Sequence, residues 1–289
     1  MNIIEYATEL HTEKIRQLWE EAFGNAQPYT GWYFHNIFRP ERTLCLFIDD
    51  IPAGCLQYAP RKIRLNGQDI SAAYIVGLCV SRKHRHHGYA TMLMKRIADD
   101  LTRQGYQMLL LYPDIPDFYR KLGFIEYNRL RQVVIPAESK DGSVKKWRAG
   151  TLSYPDLDQY AAIYKKMTAG WDGWAIRNYA DWLTFFGDFL CDNGAIFLKD
   201  DAYLLCCEDE SGIYHIKEAG FADGPAMTDC LEMASHLAAT KDLNAICWDA
   251  PEHLPFNGDT VPYVMAKPLG DVDILPQKSK YPLWINEMT

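Results

Sequence analysis

The 289-residue sequence lacks a long apolar run, and its first residues lack the pattern of a signal peptide. A membrane-spanning helix needs about 20 consecutive apolar residues, and no run here approaches that length. The N-terminus from Met1 to Tyr6 turns acidic and polar at once, without the basic segment and apolar stretch of a signal peptide. These absences predict a soluble cytoplasmic protein with no membrane partner.

Cys-x-x-Cys pairs are also absent, although the chain contains eight cysteines. Several of them lie inside apolar, strand-like runs, and a chain of this length does not depend on disulfide bonds for its core. We therefore expect buried free thiols. Cys206 and Cys207 are adjacent, but successive side chains of a strand face opposite ways, so no redox pair is expected there.

Positive charge is scarce relative to negative charge. The chain has 30 Lys and Arg against 38 Asp and Glu, so its net charge is -8 at pH 7. Binding to nucleic acid depends mainly on neutralisation of phosphates by Lys and Arg, so no nucleic-acid partner is expected. The negative field favours the approach of small cations instead. The length predicts roughly two domains.

The first half of the chain alternates strand-like and helical patterns. Asn66-Gly67 between two apolar runs predicts a tight hairpin. A helical pattern between two strand-like runs predicts a βαβ crossover in a mixed sheet. The predicted strands cover residues 3–7, 44–49, 53–60, 62–65, 70–80, 108–112 and 123–127, and the predicted helices cover 12–22, 89–104 and 117–122.

A polar stretch between Glu138 and Gly150 predicts a boundary between two domains, residues 1–137 and 150–289. The second domain repeats the order of elements of the first loosely, without a residue-level repeat. The predicted fold class is therefore α/β or α+β, with mixed sheets flanked by helices.

The most informative segment is the turn Arg85-His86-His87-Gly88-Tyr89-Ala90, which joins the strand end Leu78-Cys79-Val80 to a helix. The free amide groups at a helix N-terminus carry partial positive charge and can hold a pyrophosphate. Gly88 allows the backbone to approach the phosphates, and the small Ala90 keeps the helix close to the ligand. A solvated basic turn is the alternative, but it gives no reason for a glycine at the helix start.

This turn and a second motif resemble the GNAT superfamily of N-acetyltransferases, over about residues 3 to 130. The turn is similar to the family's pyrophosphate loop, and Phe118-Tyr119-Arg120-Lys121-Leu122-Gly123-Phe124 is similar to its Phe-Tyr-x-x-x-Gly-Phe element. The resemblance implies acetyl-CoA as co-substrate and the amine of a small cationic molecule as acceptor. The implied coenzyme-binding residues are Leu78, Cys79, Val80, Arg85, His86, His87, Gly88, Tyr89, Ala90 and Thr91. A protein lysine acceptor and a non-catalytic acyl-CoA-binding regulator are the alternatives.

Within the superfamily, residues 73–80 and 112–119 resemble the enhanced-intracellular-survival (Eis) type, which joins an active GNAT domain to a degenerate one. The resemblance implies that residues 150–289 form a degenerate GNAT-like domain, and they contain no pyrophosphate-loop pattern. Known members usually add a third, sterol-carrier-like domain, which this chain is too short to hold. A homo-oligomer is left open.

Transfer from a thioester to an amine needs a deprotonated nucleophile and a proton for the departing thiolate. Tyr119 matches the family's tyrosine beside the coenzyme sulfur and, with an ordinary pKa near 10, is protonated at neutral pH. Packing of Tyr119 against the sheet with Phe118 is the alternative.

The general base is less determined, because residues 74–78 offer no carboxylate. The candidates are Glu20, Glu21, Asp114, Asp117 and Glu126, each of which is more often a solvated surface group. In the Eis type the C-terminal carboxylate enters the active site, so the resemblance implies Thr289 as the second catalytic group.

No metal is expected, because His84, His86 and His87 diverge in a turn and no second ligand motif completes a site. Two aromatic clusters remain, and such clusters are usually core. Thr30 and Gly31 leave open that the first cluster borders the acceptor pocket. The first cluster is Tyr29, Trp32, Tyr33, Phe34 and Phe38, and the second is Trp171, Trp174, Tyr179, Trp182, Phe185 and Phe186.

Overall fold

The computed structural model describes residues 2–24, 27–138, 144–191, 193–209, 212–270 and 272–273. They form two compact units. The first unit contains the described residues up to Tyr127 together with 264–270 and 272–273, and the second contains the described residues of 128–263. In this part of the chain, no helix is long and apolar enough to span a membrane.

The first unit is a mixed sheet with helices packed on it. Its strands are β1 (Asn2–Tyr6), β2 (Thr43–Ile48), β3 (Ile51–Leu65), β4 (Gln68–Val80) and β5 (Met108–Leu111). Its helices are α1 (Thr12–Phe23), α2 (Tyr29–Asn36), α3 (Tyr89–Arg103) and α4 (Pro116–Arg120). β1 to β4 pair antiparallel in chain order, β4 pairs parallel with β5, and residues 265–268 pair antiparallel with β5.

The hairpin between β3 and β4 turns where predicted. Asn66 and Gly67 have φ of 51° and 74°, the left-handed backbone that this turn requires, and Leu65 pairs with Gln68. The predicted break between residues 60 and 62 is wrong. Pro60 pairs with Ala73, and the register continues without interruption to the turn, so β3 is a single strand.

The core of the first unit lies between α3 and the sheet. Leu93, Ile97 and Leu101 project from one face of α3 and are completely buried. They pack with buried residues of β2 to β5 in a single apolar cluster. The amphipathic spacing of α3 therefore orients the helix, and this also fixes the direction of its N-terminus.

The sequence pattern did not indicate α2, because its residues lack helical apolar spacing. Burial of an aromatic side chain stabilises this helix instead. Tyr33 is completely buried and stacks on Trp19 of α1, with ring centroids 4.5 Å apart. In the first aromatic cluster, Tyr33 and Phe38 are thus core residues, whereas Tyr29, Trp32 and Phe34 are half-buried.

The second unit is also a mixed sheet with helices. Its elements include β7 (Arg148–Ala149), α5 (Tyr154–Met167), β8 (Trp174–Ala175), α6 (Tyr179–Cys191), β9 (Ala195–Lys199), β10 (Ala202–Glu208), β11 (Tyr214–Phe221), α7 (Gly224–Thr240) and β12 (Ala245–Pro251). The strand β13 (Asp259–Pro268) begins in this unit, and its residues 264–268 belong to the first unit. β6 (Ile125–Pro136) is also part of its sheet. The strand order is β7-β9-β10-β11-β12-β6.

Both units have the same sequence of pairings along the sheet. In the second, β7 with β9, β9 with β10, and β10 with β11 are antiparallel, β11 with β12 is parallel, and β12 with β6 is antiparallel. The units differ from the predicted ranges 1–137 and 150–289. β6 pairs with β12 from Leu130 to Pro136, and residues 265–268 pair with β5, so long-range hydrogen bonds set the limits rather than the polar stretch.

A buried ion pair lies in the core of the second unit. Arg177 donates to both carboxylate oxygens of Glu218, at 2.8 and 3.0 Å, and both side chains are at most 1% exposed. The guanidinium lies 4.0 Å from the ring centroid of Phe185, and Trp182 and Tyr164 also face it. These aromatic rings therefore surround an arginine whose charge is paired with Glu218. The pairing offsets the cost of burying the arginine's charge.

All eight cysteines are free thiols, and five of them are buried. Cys191, Cys207 and Cys247 are only half-buried. Cys45, Cys55 and Cys79 are neighbours across β2, β3 and β4, and the sulfur atoms of Cys55 and Cys79 are 3.6 Å apart.

Candidate active site

β4 and β5 separate at one end of the first unit. They pair from Ala72–Met108 to Tyr74–Leu110, after which β4 continues to Val80. β4 contains one extra residue opposite β3 in this stretch, because Val76 pairs with Gln57 and Cys79 with Cys55. Gly77 lies in this bulge with φ of 62°. Since a bulge bends its strand and increases its twist, it turns the end of β4 from the line of β5.

A cavity of about 620 Å³ lies at this opening. Three segments of the first unit surround it: the end of β4, the turn before α3, and the stretch from the end of β5 into α4. The last residues of α1 close one side. The lining residues are Ala22, Phe23, Ile75, Gly77, Leu78, Cys79, Val80, Arg85, His86, Ala90, Leu111, Tyr112, Asp114, Ile115, Phe118 and Tyr119.

The structure brings most of the predicted coenzyme residues to this cavity. Leu78, Cys79, Val80, Arg85, His86 and Ala90 line it. The other four lie in the same turn or the first turn of α3, outside the lining. These are His87, Gly88, Tyr89 and Thr91.

The turn before α3 is held by its own side chains. Arg85 donates from Nε to the carbonyl oxygen of Val80 at 3.2 Å, which ties the turn to the end of β4. His87 donates from Nδ1 to the carbonyl oxygen of Arg85 at 2.7 Å, and its ring stacks on Tyr89. These contacts place His87 as an internal support of the turn.

The backbone of the turn is arranged to present amide groups. His86 and Gly88 have φ of 66° and 78°, on either side of His87, and Gly88 caps α3. Alternation of left-handed residues with ordinary ones makes a concave row of N–H groups, which is an anion-binding arrangement. The first amides of α3 add to it, because they have no acceptor within the helix. The turn can therefore hold phosphate oxygens with main-chain donors.

Tyr119 both packs and reaches the cavity. Its ring contacts Phe118 and Phe124, with centroids 5.0 and 5.8 Å away, and its side chain is part of the cavity wall. Burial raises the pKa of Tyr119 to about 12, and the nearby carboxylate of Asp114 acts in the same direction. The phenol is therefore protonated at neutral pH and able to donate.

The structure distinguishes among the five carboxylates that the sequence left open as candidates for the general base. Asp114 lines the cavity. Each of the others bonds to an arginine: Glu20 to Arg16, Glu21 to the amide of Arg82, and Asp117 and Glu126 to Arg120. The pairs Arg16–Glu20 and Asp117–Arg120 lie four and three residues apart on helices, so sequence spacing could have indicated them. The position of Asp114 in the cavity wall, in contrast, depends on the fold.

The corresponding helix start of the second unit is different. Only Ala222 and Asp223 separate β11 from α7, and the carboxylate of Asp223 accepts a hydrogen bond from the amide of Ala226 at 2.9 Å. Pro225, in the first turn, has no N–H to offer. A protein carboxylate therefore already uses one of the donors that would face an anion, and the proline lacks another.

His215, Cys247 and Asp249 form a separate group of metal-ligand types in the second unit. Lys217 donates to the carboxylate of Asp249 at 2.6 Å, so that charge is already neutralised. Hydrogen bonding to Asp249 raises the pKa of His215 to about 10, and Nε2 of His215 lies 3.0 Å from a carboxylate oxygen of Asp209. The group is an ionic network within the sheet.

Thr289, the predicted second catalytic group, lies outside the described residues. The first aromatic cluster does not contribute to the lining of this cavity, although all five of its members are described. Phe23, Tyr112, Phe118 and Tyr119 provide the aromatic wall instead.

Comparison with known proteins agrees with this geometry. Residues 4–126 match the family model of the acetyltransferase (GNAT) domain. A search of curated protein sequences gave no significant match.

Similar solved structures cover most of the chain. A probable N-acyltransferase from Enterococcus faecalis V583 has a TM-score of 0.72 and 16% identity, over 93% of this chain and 73% of that one. A GCN5-related N-acetyltransferase from Anabaena variabilis has a TM-score of 0.73 and 16% identity, over 92% and 72%. Eis1 from Mycobacterium abscessus has a TM-score of 0.68 and 14% identity, over 93% and 74%. The chain shares the mixed α/β fold of these proteins. Its residues 4–126 match the acetyltransferase domain of the GNAT family.

Proposed function

We propose that this protein is an N-acetyltransferase that transfers the acetyl group of acetyl-CoA to the amine of a small cationic molecule. One observation carries the proposal. The bulged end of β4, the amide-rich turn before α3 and the Tyr119 side chain border one cavity in a unit that matches the GNAT domain.

The cavity provides a different partner for each part of the coenzyme. The amides of residues 86–90 would hold the pyrophosphate, where the helix dipole of α3 also favours negative charge. The backbone of Leu78, Cys79 and Val80 would pair with the pantetheine amides. The thioester would then be next to Tyr119, which borders the same cavity.

Starting from the free amine, the reaction removes one proton from nitrogen and supplies one to sulfur. The substrate ammonium first loses a proton to a carboxylate or to water. The free amine nitrogen then attacks the thioester carbonyl carbon, a C–N bond forms, and the C–S bond breaks with its electron pair on sulfur. The nitrogen gives up its second proton to solvent, which leaves a neutral amide. Tyr119 donates its phenolic proton to the sulfur, and solvent then reprotonates the phenolate.

The second unit serves a different purpose in this proposal. It is a degenerate GNAT-like unit of the Eis type, which has kept the order and sense of strand pairing but no coenzyme site. The short connection before α7, the Asp223 cap and Pro225 support this assignment, because Asp223 uses one amide donor and Pro225 lacks another.

Thiol release from acetyl-CoA tests the proposal. The purified chain would be assayed with a panel of small amines and with lysine-containing peptides. Release that depends on a small amine, with the acetylated amine identified by mass spectrometry, supports it. Release with peptides alone would make the protein a lysine acetyltransferase. Tight acetyl-CoA binding without turnover would make it an acyl-CoA-binding regulator.

A further inference from the structure

Three large apolar side chains are exposed at the candidate active site. Phe23 is 53% exposed, Tyr112 is 60% exposed and Ile115 is 61% exposed, and all three line the cavity. Single exposed apolar residues are ordinary on a protein surface, but several around one concave site indicate a binding surface. The cavity thus has an apolar rim that the coenzyme-binding turn does not explain.

The rim is attached to rigid parts of the first unit. The ring of Phe23 contacts Trp19 with centroids 4.8 Å apart, so one face of the ring is supported while the residue stays exposed. Ile115 immediately precedes α4, which begins at Pro116. Tyr112 directly follows β5. Apolar groups from both sides of the opening can therefore hold a ligand.

The charges of the cavity are separated. Arg85 and His86 lie at the turn that faces the phosphates, whereas Asp114 is the carboxylate in the lining on the Tyr119 side. Asp114 is also close enough to oppose ionisation of Tyr119. A cation that approaches the acyl group near Tyr119 therefore meets Asp114, and the net charge of -8 favours its approach.

We infer that the acceptor is a primary monoamine with an apolar alkyl or aryl substituent, whose ammonium binds Asp114 and whose substituent contacts Phe23, Tyr112 and Ile115. This inference rests on the proposed function. An amine with several charges would place further ammonium groups against the apolar rim, where loss of hydration is unfavourable. A short polar amine would leave the rim uncovered.

The test compares acceptors of one charge but different substituents. Hexylamine and phenethylamine should have kcat/KM values on the order of 10-fold or more above those of ethanolamine, because their apolar substituents leave water when they contact the rim. Spermidine should be a poorer acceptor than hexylamine. Phe23→Ala should reduce the difference between hexylamine and ethanolamine.

Asp114→Asn tests the anchor of the ammonium. It should raise KM for hexylamine on the order of 10-fold or more, since hydrogen bonds to charged groups are strong, and leave the Kd of acetyl-CoA unchanged. Asp117→Asn is the matched control, because Asp117 pairs with Arg120 and is not in the lining. The control should leave KM unchanged.

The outcomes separate the inference from the proposed function. Amine-dependent release that favours spermidine or ethanolamine, with Asp114→Asn neutral, overturns the inference and leaves the acetyltransferase assignment in place. If no amine gives release, the proposed function fails, and calorimetry of hexylamine with the CoA-loaded protein decides the inference. Binding weakened by Asp114→Asn supports it, and absence of binding overturns it.

Discussion

The indole of Trp19 packs directly on the α-carbon of Gly77, so that a β-carbon on Gly77 would lie 2.0 Å from Trp19 Cζ3. Gly77 also has φ of 62°, which other residues rarely adopt. Both requirements fall at the bulge where β4 departs from β5. The shape of the candidate site therefore depends on a glycine held against a helix from much earlier in the chain.

Gly77→Ala should destabilise the protein more than Gly67→Ala. Gly67 has a similar φ of 74°, but a β-carbon there meets nothing within 4 Å. We expect a loss of about 1 kcal/mol for Gly67→Ala from backbone strain, and about 1–3 kcal/mol more for Gly77→Ala from overpacking. Urea unfolding measures both. Equal losses would mean that the Trp19 contact is unimportant. In a Trp19→Ala background, Gly77→Ala should cost less than it does in the wild-type protein.

Gly88→Glu should abolish acetyl-CoA binding, because a side chain and a negative charge would enter the space of the pyrophosphate. Gly105→Glu is the control at the other end of α3: its φ is 83°, and its β-carbon also meets nothing within 4 Å. The two variants should lose similar stability, but only Gly88→Glu should lose binding in calorimetry. Retained affinity in folded Gly88→Glu would remove the turn from the site.

Tyr119→Phe should lower kcat on the order of 10²-fold or more while leaving the Kd of acetyl-CoA nearly unchanged, because it removes only the proton donor. Tyr106→Phe, in the same unit but outside the cavity lining, is the control. Wild-type turnover in Tyr119→Phe would reduce Tyr119 to a packing residue.

The pH dependence of kcat offers an independent check on Tyr119. Burial raises its pKa to about 12, so the proton-donating form persists well above the ordinary tyrosine range. Ionisation of Tyr119 should therefore not lower kcat between pH 7 and 10. An alkaline decline in that range that disappears in Tyr119→Phe would contradict this assignment.

One acetyl-CoA should bind per chain, because Asp223 and Pro225 already occupy the start of α7. A calorimetric titration gives the stoichiometry, and two equivalents would show a second site. Asp223→Ala removes the cap and should cost about 1 kcal/mol in unfolding free energy without adding a coenzyme site.

The chain's C-terminal carboxylate should contribute to catalysis, as the Eis resemblance implies for Thr289. An α-carboxylate with a pKa of about 3.3–3.7 is ionised at neutral pH and can orient an ammonium or accept its proton. Appending one glycine, or deleting Met288 and Thr289, should lower kcat/KM while acetyl-CoA binding persists. Unchanged kcat/KM in both variants would exclude this role.

Sequence alone predicted the features of the candidate site that depend on neighbouring residues. The hairpin at Asn66-Gly67 and the connection from β4 to α3 follow from a few adjacent residues whose backbone preferences are local. For the same reason, the apolar spacing of α3 predicted its extent almost to the residue. The mixed α/β class followed from the order of these elements.

Tertiary structure decided what depends on residues far apart in the chain. Gly77 of the β4 bulge packs against Trp19 of α1. Only the folded chain shows that Asp114 lines the cavity, whereas Glu21 accepts a hydrogen bond from the distant amide of Arg82. The last strand of the first unit comes from residues 265–268, beyond any sequence signal near β5. Periodicity reports only which face of an element is apolar, whereas the partner of each side chain is set by packing and hydrogen bonding across the folded chain.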